Sequence, residues 1–423
     1  MNIKILKENS PVFLVLLFAF FLSSWQIFSI VSLVILIPLV IIRYGIGSIW
    51  KTFKSRKLLL MFPLYYILHL AGLLNTENFS YATLDLQIKL SFLLMPLFLA
   101  PVLKETKAAK LKNAYISGVI FSLLFCLIFA AWRFIQEGDS IVFFYGEYSR
   151  FMHSTYYTMH INLAMIFLFE KLIPKESERS RKSDLLSFIG IIFMAISIFM
   201  LSSRTGTAVM YITVFSFLII RYLIPAFSFF KAGKVLILVL LFGLLHSAVL
   251  VVYDRYSEVA PEITLEMENK TVQDGAVPAQ VSSLSSRLFI WPLSWRIIIE
   301  NPLTGVGTGD IKDVLVSEYE KAGFTEGVEK KLNPHNQFLH TGVILGFPGM
   351  IFLLILFIIF SWEYFERRNS LAILFNAIIF LNALTESVLE RQAGVLLFCF
   401  FTMVFLMHIS EKRKIVSRSA GDK

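Results

Sequence analysis

The chain has 423 residues, of which 57% are hydrophobic and 16% charged. Soluble globular proteins run at about 45–50% apolar and about 25% charged, so this composition, with a mean hydropathy of +0.71, excludes a string of soluble domains and indicates one membrane body. The formal charge of +9 is spread in small blocks between apolar runs, which argues against a nucleic-acid partner.

Taken in chain order, Lys4 and Lys7 precede an apolar core that could pass for a signal peptide. No small-x-small cleavage site follows cleanly and a second apolar run begins at once, so a retained first helix is expected. A helix needs about 20 apolar residues to cross about 30 Å of hydrocarbon. Candidate spans lie near 11–24, 25–42, 58–74, 84–103, 113–134, 155–173, 185–202, 205–224, 234–252, 337–361, 370–385 and 392–409. The first two meet around Ser23-Ser24-Trp25 and read either as two helices or as one long kinked helix. With the N-terminus inside, the pieces 1–10, 43–57, 104–112, 170–184, 221–234, 361–369 and 410–423 hold 26 of the 39 Lys and Arg residues. The outer stretch Asn75–Asp85 holds none, as the positive-inside rule requires. The expectation is an all-α polytopic membrane protein with about 12 transmembrane helices and both ends inside. Cys126 and Cys399 lie within apolar runs without a partner at zinc or redox spacing, and read as small buried hydrophobes.

The stretch between spans nine and ten is different. Tyr253–His335 falls outside and carries 13 acids against 8 bases. Long segments without a spanning helix often carry function. Its middle, Arg287–Glu300, is apolar and aromatic, with Ser282–Ser286 as possible caps and Asn301-Pro302 as a stop. This middle reads as a short helix along the membrane surface with Trp291 and Trp295 at headgroup level. Pro292 would cost the bond to Leu288, so a kink or a helix beginning at Trp291 is expected. The domain reading is 1–252 for transmembrane helices one to nine, 253–336 for one large periplasmic loop containing short helices, and 337–423 for helices ten to twelve and a cytoplasmic tail. No internal repeat is visible, which weighs against carriers built from inverted repeats.

Three outward features carry groups suited to chemistry. Arg204 sits in the short turn Ser202-Ser203-Arg204-Thr205-Gly206, and Arg287 opens the surface segment. A guanidinium fork matches phosphate oxygens, although either arginine alone also reads as an interface anchor. The third feature is Asn333-Pro334-His335-Asn336, just before span ten. A histidine at a helix N-terminus is disfavoured as imidazolium, and a neutral ring can take a proton from an attacking hydroxyl. Asn336 would orient the ring or cap the helix. His153 and His160 are two helical turns apart at the outer start of span six, and read as a cap, as cavity lining or as a metal pair. Asp85 and Lys89 read as a structural pair or as a lipid-phosphate contact. Glu386, Glu390 and Arg391 form the last outer loop, which either closes the cavity or is solvated. Gly305-Val306-Gly307-Thr308-Gly309 follows no strand and lacks a Gly-Lys-Ser/Thr ending, so it reads as a tight turn and not as a phosphate loop.

The pieces Ser203-Arg204-Thr205-Gly206, Arg287 to Trp291, Asn301 to Gly307, Pro334-His335-Asn336-Gln337-Phe338-Leu339 and Gly346-Phe347-Pro348-Gly349 follow one another in this order on the outer side. In that order and layout they resemble the O-antigen ligase and O-antigen polymerase superfamily, bacterial inner-membrane glycosyltransferases of the GT-C type. His153 with Tyr156 resembles the family's outward His-x-x-Tyr stretch. The resemblance implies that Arg204 and Arg287 bind the undecaprenyl pyrophosphate of a lipid-linked glycan donor and that His335 is the catalytic base. Asn336, His153, Tyr156 and Lys89 complete the candidate substrate-binding set. It also implies that no metal, nucleotide sugar or other cofactor takes part, and that the acceptor is lipid A core or another glycan. A ligase is preferred because the single late loop carries both Arg287 and the Pro-His-Asn turn; a polymerase would use the same chemistry. A flippase or transporter would call for paired broken helices and charges deep in several spans.

Overall fold

The computed structural model describes residues 3–172, 181–219 and 283–408. The expected ninth span near 234–252, the first part of the long loop and the basic tail 410–423 lie outside them. Among the described residues every regular element is helical. The first half comprises α1 (Ile3–Phe21), α2 (Gln26–Lys54), α3 (Met61–Ala71), α4 (Phe79–Lys89), α5 (Ser91–Glu105), α6 (Ala108–Glu137), α7 (Tyr145–Tyr148), α8 (Ser154–Lys171), α9 (Arg181–Met200) and α10 (Arg204–Leu218). Then come α11 (Ser283–Glu300), α12 (Ile311–Lys321), α13 (Thr325–Lys330), α14 (Gln337–Glu366), α15 (Ser370–Ala383) and α16 (Gln392–His408).

Among the described residues, five helical stretches are long and apolar enough to cross a membrane: Gln26–Lys54, Lys57–Asn75, Phe79–Glu105, Ala108–Glu137 and Gln337–Glu366. Shorter apolar helices occupy Ser10–Phe21, Asp184–Met200, Ser370–Ala383 and Gln392–His408. The first two candidate spans are separate helices. The chain turns between Phe21 and Gln26, and Ser29 Oγ donates to the Phe18 carbonyl at 3.2 Å across the pair. Large apolar side chains such as Ile42, Ile46, Ile128 and Ile135 point outward, as lipid contact requires. By contrast, α8 from Tyr156 to Phe169 and α16 from Ala393 to Met407 are buried on every side. A helix apolar all round belongs in the centre of a bundle.

The loop helices have a core of their own. Ile290, Ile297 and Ile298 of α11 meet Ile311, Leu315 and Tyr319 of α12, and both lie on Val343, Ile344 and Leu345 of α14. The docking point is a break in α14. Gly346 has φ 65°, and Pro348 has no N–H for the Ile344 carbonyl. The glycine-rich turn repairs the break: Gly307 N–H reaches the Ile344 carbonyl at 3.1 Å, and Val306 N–H reaches that of Val343 at 2.9 Å. Phe347 N–H, freed by the same break, goes to the Pro302 carbonyl at 2.8 Å. Gly305 must be glycine here, since its φ is +64° and a Cβ would stand 2.3 Å from the Ile344 backbone. The turn therefore satisfies backbone groups inside the membrane body, where an unpaired carbonyl costs several kcal/mol.

One expectation for the surface segment is corrected. The helix begins at Ser283 and runs through Pro292 without a second start at Trp291. Pro292 and Leu288 both face outward, while Ile290, Ser294, Ile297 and Ile298 are buried on the other face. Burial on both sides of the proline outweighs the one hydrogen bond it forfeits. Trp291 is half-buried and donates to the Pro334 carbonyl at 3.0 Å.

Candidate functional site

The turn before α14 is pinned from several directions. Asn333 Oδ1 accepts the His335 N–H at 2.9 Å, and its amide nitrogen donates to Glu390. Trp291 holds the Pro334 carbonyl from above. His335 itself has φ 46°, a left-handed conformation that costs a non-glycine residue about 1–3 kcal/mol and persists where neighbours enforce it. Asn336 is the N-cap of α14: its Oδ1 accepts from Phe338 N at 2.9 Å and Leu339 N at 3.1 Å, and its Nδ2 donates to the Leu384 carbonyl at 3.1 Å.

The loop between α15 and α16 faces this turn. Both oxygens of Glu386 lie 3.3 Å from His335 Nδ1. Glu386 is 7% exposed. Burial pushes its carboxyl up, but His335, the Ser387 N–H and His153 together outweigh burial and hold it below the usual carboxylate range. An ionised carboxylate at Nδ1 selects the tautomer with the proton there, leaving the lone pair on Nε2. Glu390, also buried, accepts from Tyr81 at 3.3 Å and from Asn333. Gln337 fixes the loop's backbone by accepting the Leu389 N–H at 2.6 Å, and Tyr156 does so by donating to the Ser387 carbonyl at 3.0 Å.

The two arginines converge on the same loop. Arg204 is the first residue of α10, after the N-cap Ser203 whose Oγ accepts the Gly206 N–H at 3.1 Å. Gly206 lets α10 approach α8, since a Cβ there would stand 2.3 Å from Thr158 Oγ1. Thr385 Oγ1 donates to Thr205 Oγ1 at 3.2 Å, and the Thr385 carbonyl accepts from Arg287 Nη2 at 3.0 Å. Thr385 thus ties α10 and α11 together one residue before Glu386. Arg204 is exposed, and Arg287 is half-buried. Burial first, then the charge of Arg204, lowers the Arg287 pKa, while Glu386 opposes them. Two guanidinium groups held near each other are suited to a ligand with more than one negative charge.

Two spaces open on either side of the His335 turn. An apolar groove of about 690 Å³ begins at Arg287 and Asn336 and passes Trp291, Leu339, Leu354 and Phe380. A polar cleft of about 900 Å³ holds His335, Glu386, His153, Asn333, Arg150 and Arg391.

The other sequence candidates divide. His153 and Tyr156 line the cleft with His335. His153 caps α8, its Nδ1 accepting the Thr155 N–H at 3.4 Å. Its side chain is exposed to the cleft, and desolvation by the surrounding walls, with His335 and Arg391 nearby, keeps its pKa below the ordinary histidine value against the pull of Glu386. His160 does not share the cleft; it is buried against Tyr115, with Nδ1 3.0 Å from the hydroxyl. Lys89 is fully buried and paired with Asp85, whose other oxygen lies 3.3 Å from His69 Nδ1. The structural-pair reading of Lys89 is the one its surroundings carry. Sequence reasoning left the roles of Glu386, Glu390 and Gln337 open or unnoticed. Their one signal was two acids flanking Val388-Leu389 at the edge of an apolar run.

The O-antigen ligase family model matches residues 189–354, which include Arg204, Arg287 and His335. The resemblance read from the sequence is thereby borne out over that segment. A Rickettsia conorii protein described as "Putative polysaccharide ligase" is 27% identical over 178 residues. That match covers 40% of this chain and 41% of the relative, so the chain spans about two-fifths of the relative's length.

Proposed function

We propose that the chain is a glycosyltransferase of the O-antigen ligase kind. It transfers a glycan from a polyprenyl pyrophosphate to an acceptor at the periplasmic face of a bacterial inner membrane. The observation that carries this reading is the border at His335: a histidine oriented by a buried carboxylate, two arginines within reach of the same loop, and an apolar groove leading away from one of them.

In this scheme the donor's isoprenoid tail lies in the groove among Leu339, Leu354 and Phe380. Its pyrophosphate meets Arg204 and Arg287, which stabilise the charge that develops as the glycosidic bond breaks. The acceptor hydroxyl occupies the polar cleft. His335 Nε2 removes its proton while the oxygen attacks the anomeric carbon, and the pyrophosphate departs with the bonding pair. A single displacement inverts the configuration and needs no metal. Glu386 holds the ring and stabilises the imidazolium that forms, as a positioning residue. The matched family and the name of the relative favour a ligase, with lipid A core or another glycan as acceptor. A polymerase would use the same residues.

Twelve crossings with the loop outside complete the scheme, supported by the placement of the basic residues. Cysteine labelling should reach Lys321 without permeabilisation and Lys51 only after it; the reverse pattern would overturn the topology. The functional test is surface glycan analysis of a deletion strain. Lipid-linked polymer left untransferred supports a ligase, and glycan reduced to one repeat supports a polymerase. Wild-type surface glycan would refute both.

A further inference from the structure

The polar cleft contains two cations that the proposed chemistry does not use. Arg150 enters from the segment between α7 and α8, and Arg391 from the loop before α16. Neither has an ion-pair partner among the described residues. The acids that could neutralise them are engaged elsewhere. Glu147 is held by Arg133 at 2.6 Å, Glu390 binds Tyr81 and Asn333, and Glu386 faces His335. Arg150 is further fixed by the Phe129 ring, whose centroid is 4.4 Å from its guanidinium carbon. Neither Arg204 nor Arg287 lines this cleft. The rest of the cleft mixes apolar walls from Ile88, Phe151 and Met152 with Gln26, Ser149 and Gln392, which are suited to sugar rings and hydroxyls.

We propose that Arg150 and Arg391 form an anion site that recognises a phosphate or carboxylate carried by the acceptor glycan. This rests on the reading that the acceptor occupies the cleft beside His335. A guanidinium without a protein carboxylate, facing a space of oligosaccharide size, keeps its donors for a ligand oxyanion. Two of them on different elements would fix the acceptor's orientation, so that one hydroxyl meets His335 and others do not. An anionic membrane headgroup has the same chemistry, and the test must separate the two sources.

The experiment uses the full chain in nanodiscs of phosphatidylcholine alone, with lipid-linked glycan as donor. Three acceptor probes are compared: rough lipopolysaccharide, the same material dephosphorylated with hydrofluoric acid, and the same material with its carboxylates reduced. Arg150→Gln and Arg391→Gln should each raise the KM for the native acceptor by about tenfold, the scale of one charged hydrogen-bonded contact, without a matching rise in donor KM. One of the two neutralised acceptors should show a similarly raised KM with the wild-type chain and lose little more with the variants. Lys112→Gln, whose side chain is paired with Glu170 outside the cleft, should leave acceptor KM unchanged. Unaltered acceptor KM in both cleft variants, or wild-type KM for both neutralised probes, would overturn the site. A variant effect seen only as weaker association with phosphatidylglycerol nanodiscs would overturn it in favour of a headgroup contact. Binding of fluorescent rough lipopolysaccharide to His335→Ala protein keeps the two ideas apart. Arginine-dependent binding without transfer by the wild-type chain would sink the transferase reading and leave the anion site standing.

Discussion

His335 and Asn336 are adjacent in the chain, yet they line different spaces. On the Asn336 side, the groove is walled by leucine, isoleucine, phenylalanine and methionine, and its one cation, Arg287, stands at the rim. On the His335 side, arginine, histidine, serine and carboxamides join Ile88, Phe151 and Met152 in the wall, with a buried carboxylate at hand. The first space suits a hydrocarbon tail that never leaves the bilayer, and the second suits a hydrated sugar. Transfer between two such partners needs a boundary where both can present their reacting atoms, and the catalytic groups belong on it. The left-handed His335 and the capping Asn336 make that boundary one residue thick.

Removing the histidine should have the largest effect. His335→Ala should lower turnover by about 10²–10⁴, the usual contribution of a general base, while donor binding in the groove survives. Turnover by the purified protein, measured beside binding of the lipid-linked donor, checks both halves. Wild-type turnover would leave the boundary without chemistry. Next in size is the donor side. Arg287→Ala and Arg204→Ala should each cost about 10²–10³ in rate, the scale of losing one preorganised charge-stabilising donor. Lysine at either position should rescue poorly, because a point charge replaces a fork. Full activity in Arg204→Lys would show that charge alone matters there.

The two sides of the boundary were unequally legible in the sequence. The membrane helices announce themselves by composition, since a run of about 20 apolar residues has few other uses. Arg204, Arg287 and His335 stand out because each is a polar group at the end of an apolar run. Their convergence was not legible, because it passes through Thr385, an unremarkable residue between apolar segments. Glu386 and Glu390 find their partners 51 and 57 residues away, a separation that local patterning cannot span. The surface helix shows the reverse failure. The local rule for Pro292 was sound, but burial of Ile290 on one side and Ile297 and Ile298 on the other decided the outcome.

A smaller effect tests the carboxylate behind the histidine. Glu386 is held low in the folded protein, so its stabilising contribution is present above the ordinary carboxylate range. That contribution is lost as pH falls through the folded value. In His335→Asn the buried carboxyl loses the first of the groups that oppose its desolvation, and its pKa must rise. The melting temperature of the purified variant should therefore begin to fall at a higher pH than that of the wild type. At about pH 5 the gap should reach roughly 2–4 °C, the equivalent of about 1 kcal/mol in a chain of moderate size. Superimposable pH–melting curves would show that Glu386 does not depend on His335.

The smallest effect concerns a residue that belongs to both sides. Trp291 lines the apolar groove with its ring and holds the Pro334 carbonyl with its Nε1–H. Trp291→Phe keeps most of the aromatic wall and removes the donor. Pro334 is buried, so its carbonyl is left without that partner, at a cost of about 1–3 kcal/mol if nothing relaxes. The turn carrying His335 should loosen and turnover should fall about fivefold, the rate equivalent of about 1 kcal/mol. Donor KM should barely move, because the groove keeps its apolar lining. Trp291→Ala removes the wall as well, so it should raise donor KM in addition to lowering turnover. Steady-state kinetics on the two variants separate the functions of one side chain. If Trp291→Phe raised donor KM and spared turnover, the hydrogen bond to Pro334 would be incidental, and the groove and the histidine turn would have to be regarded as independent.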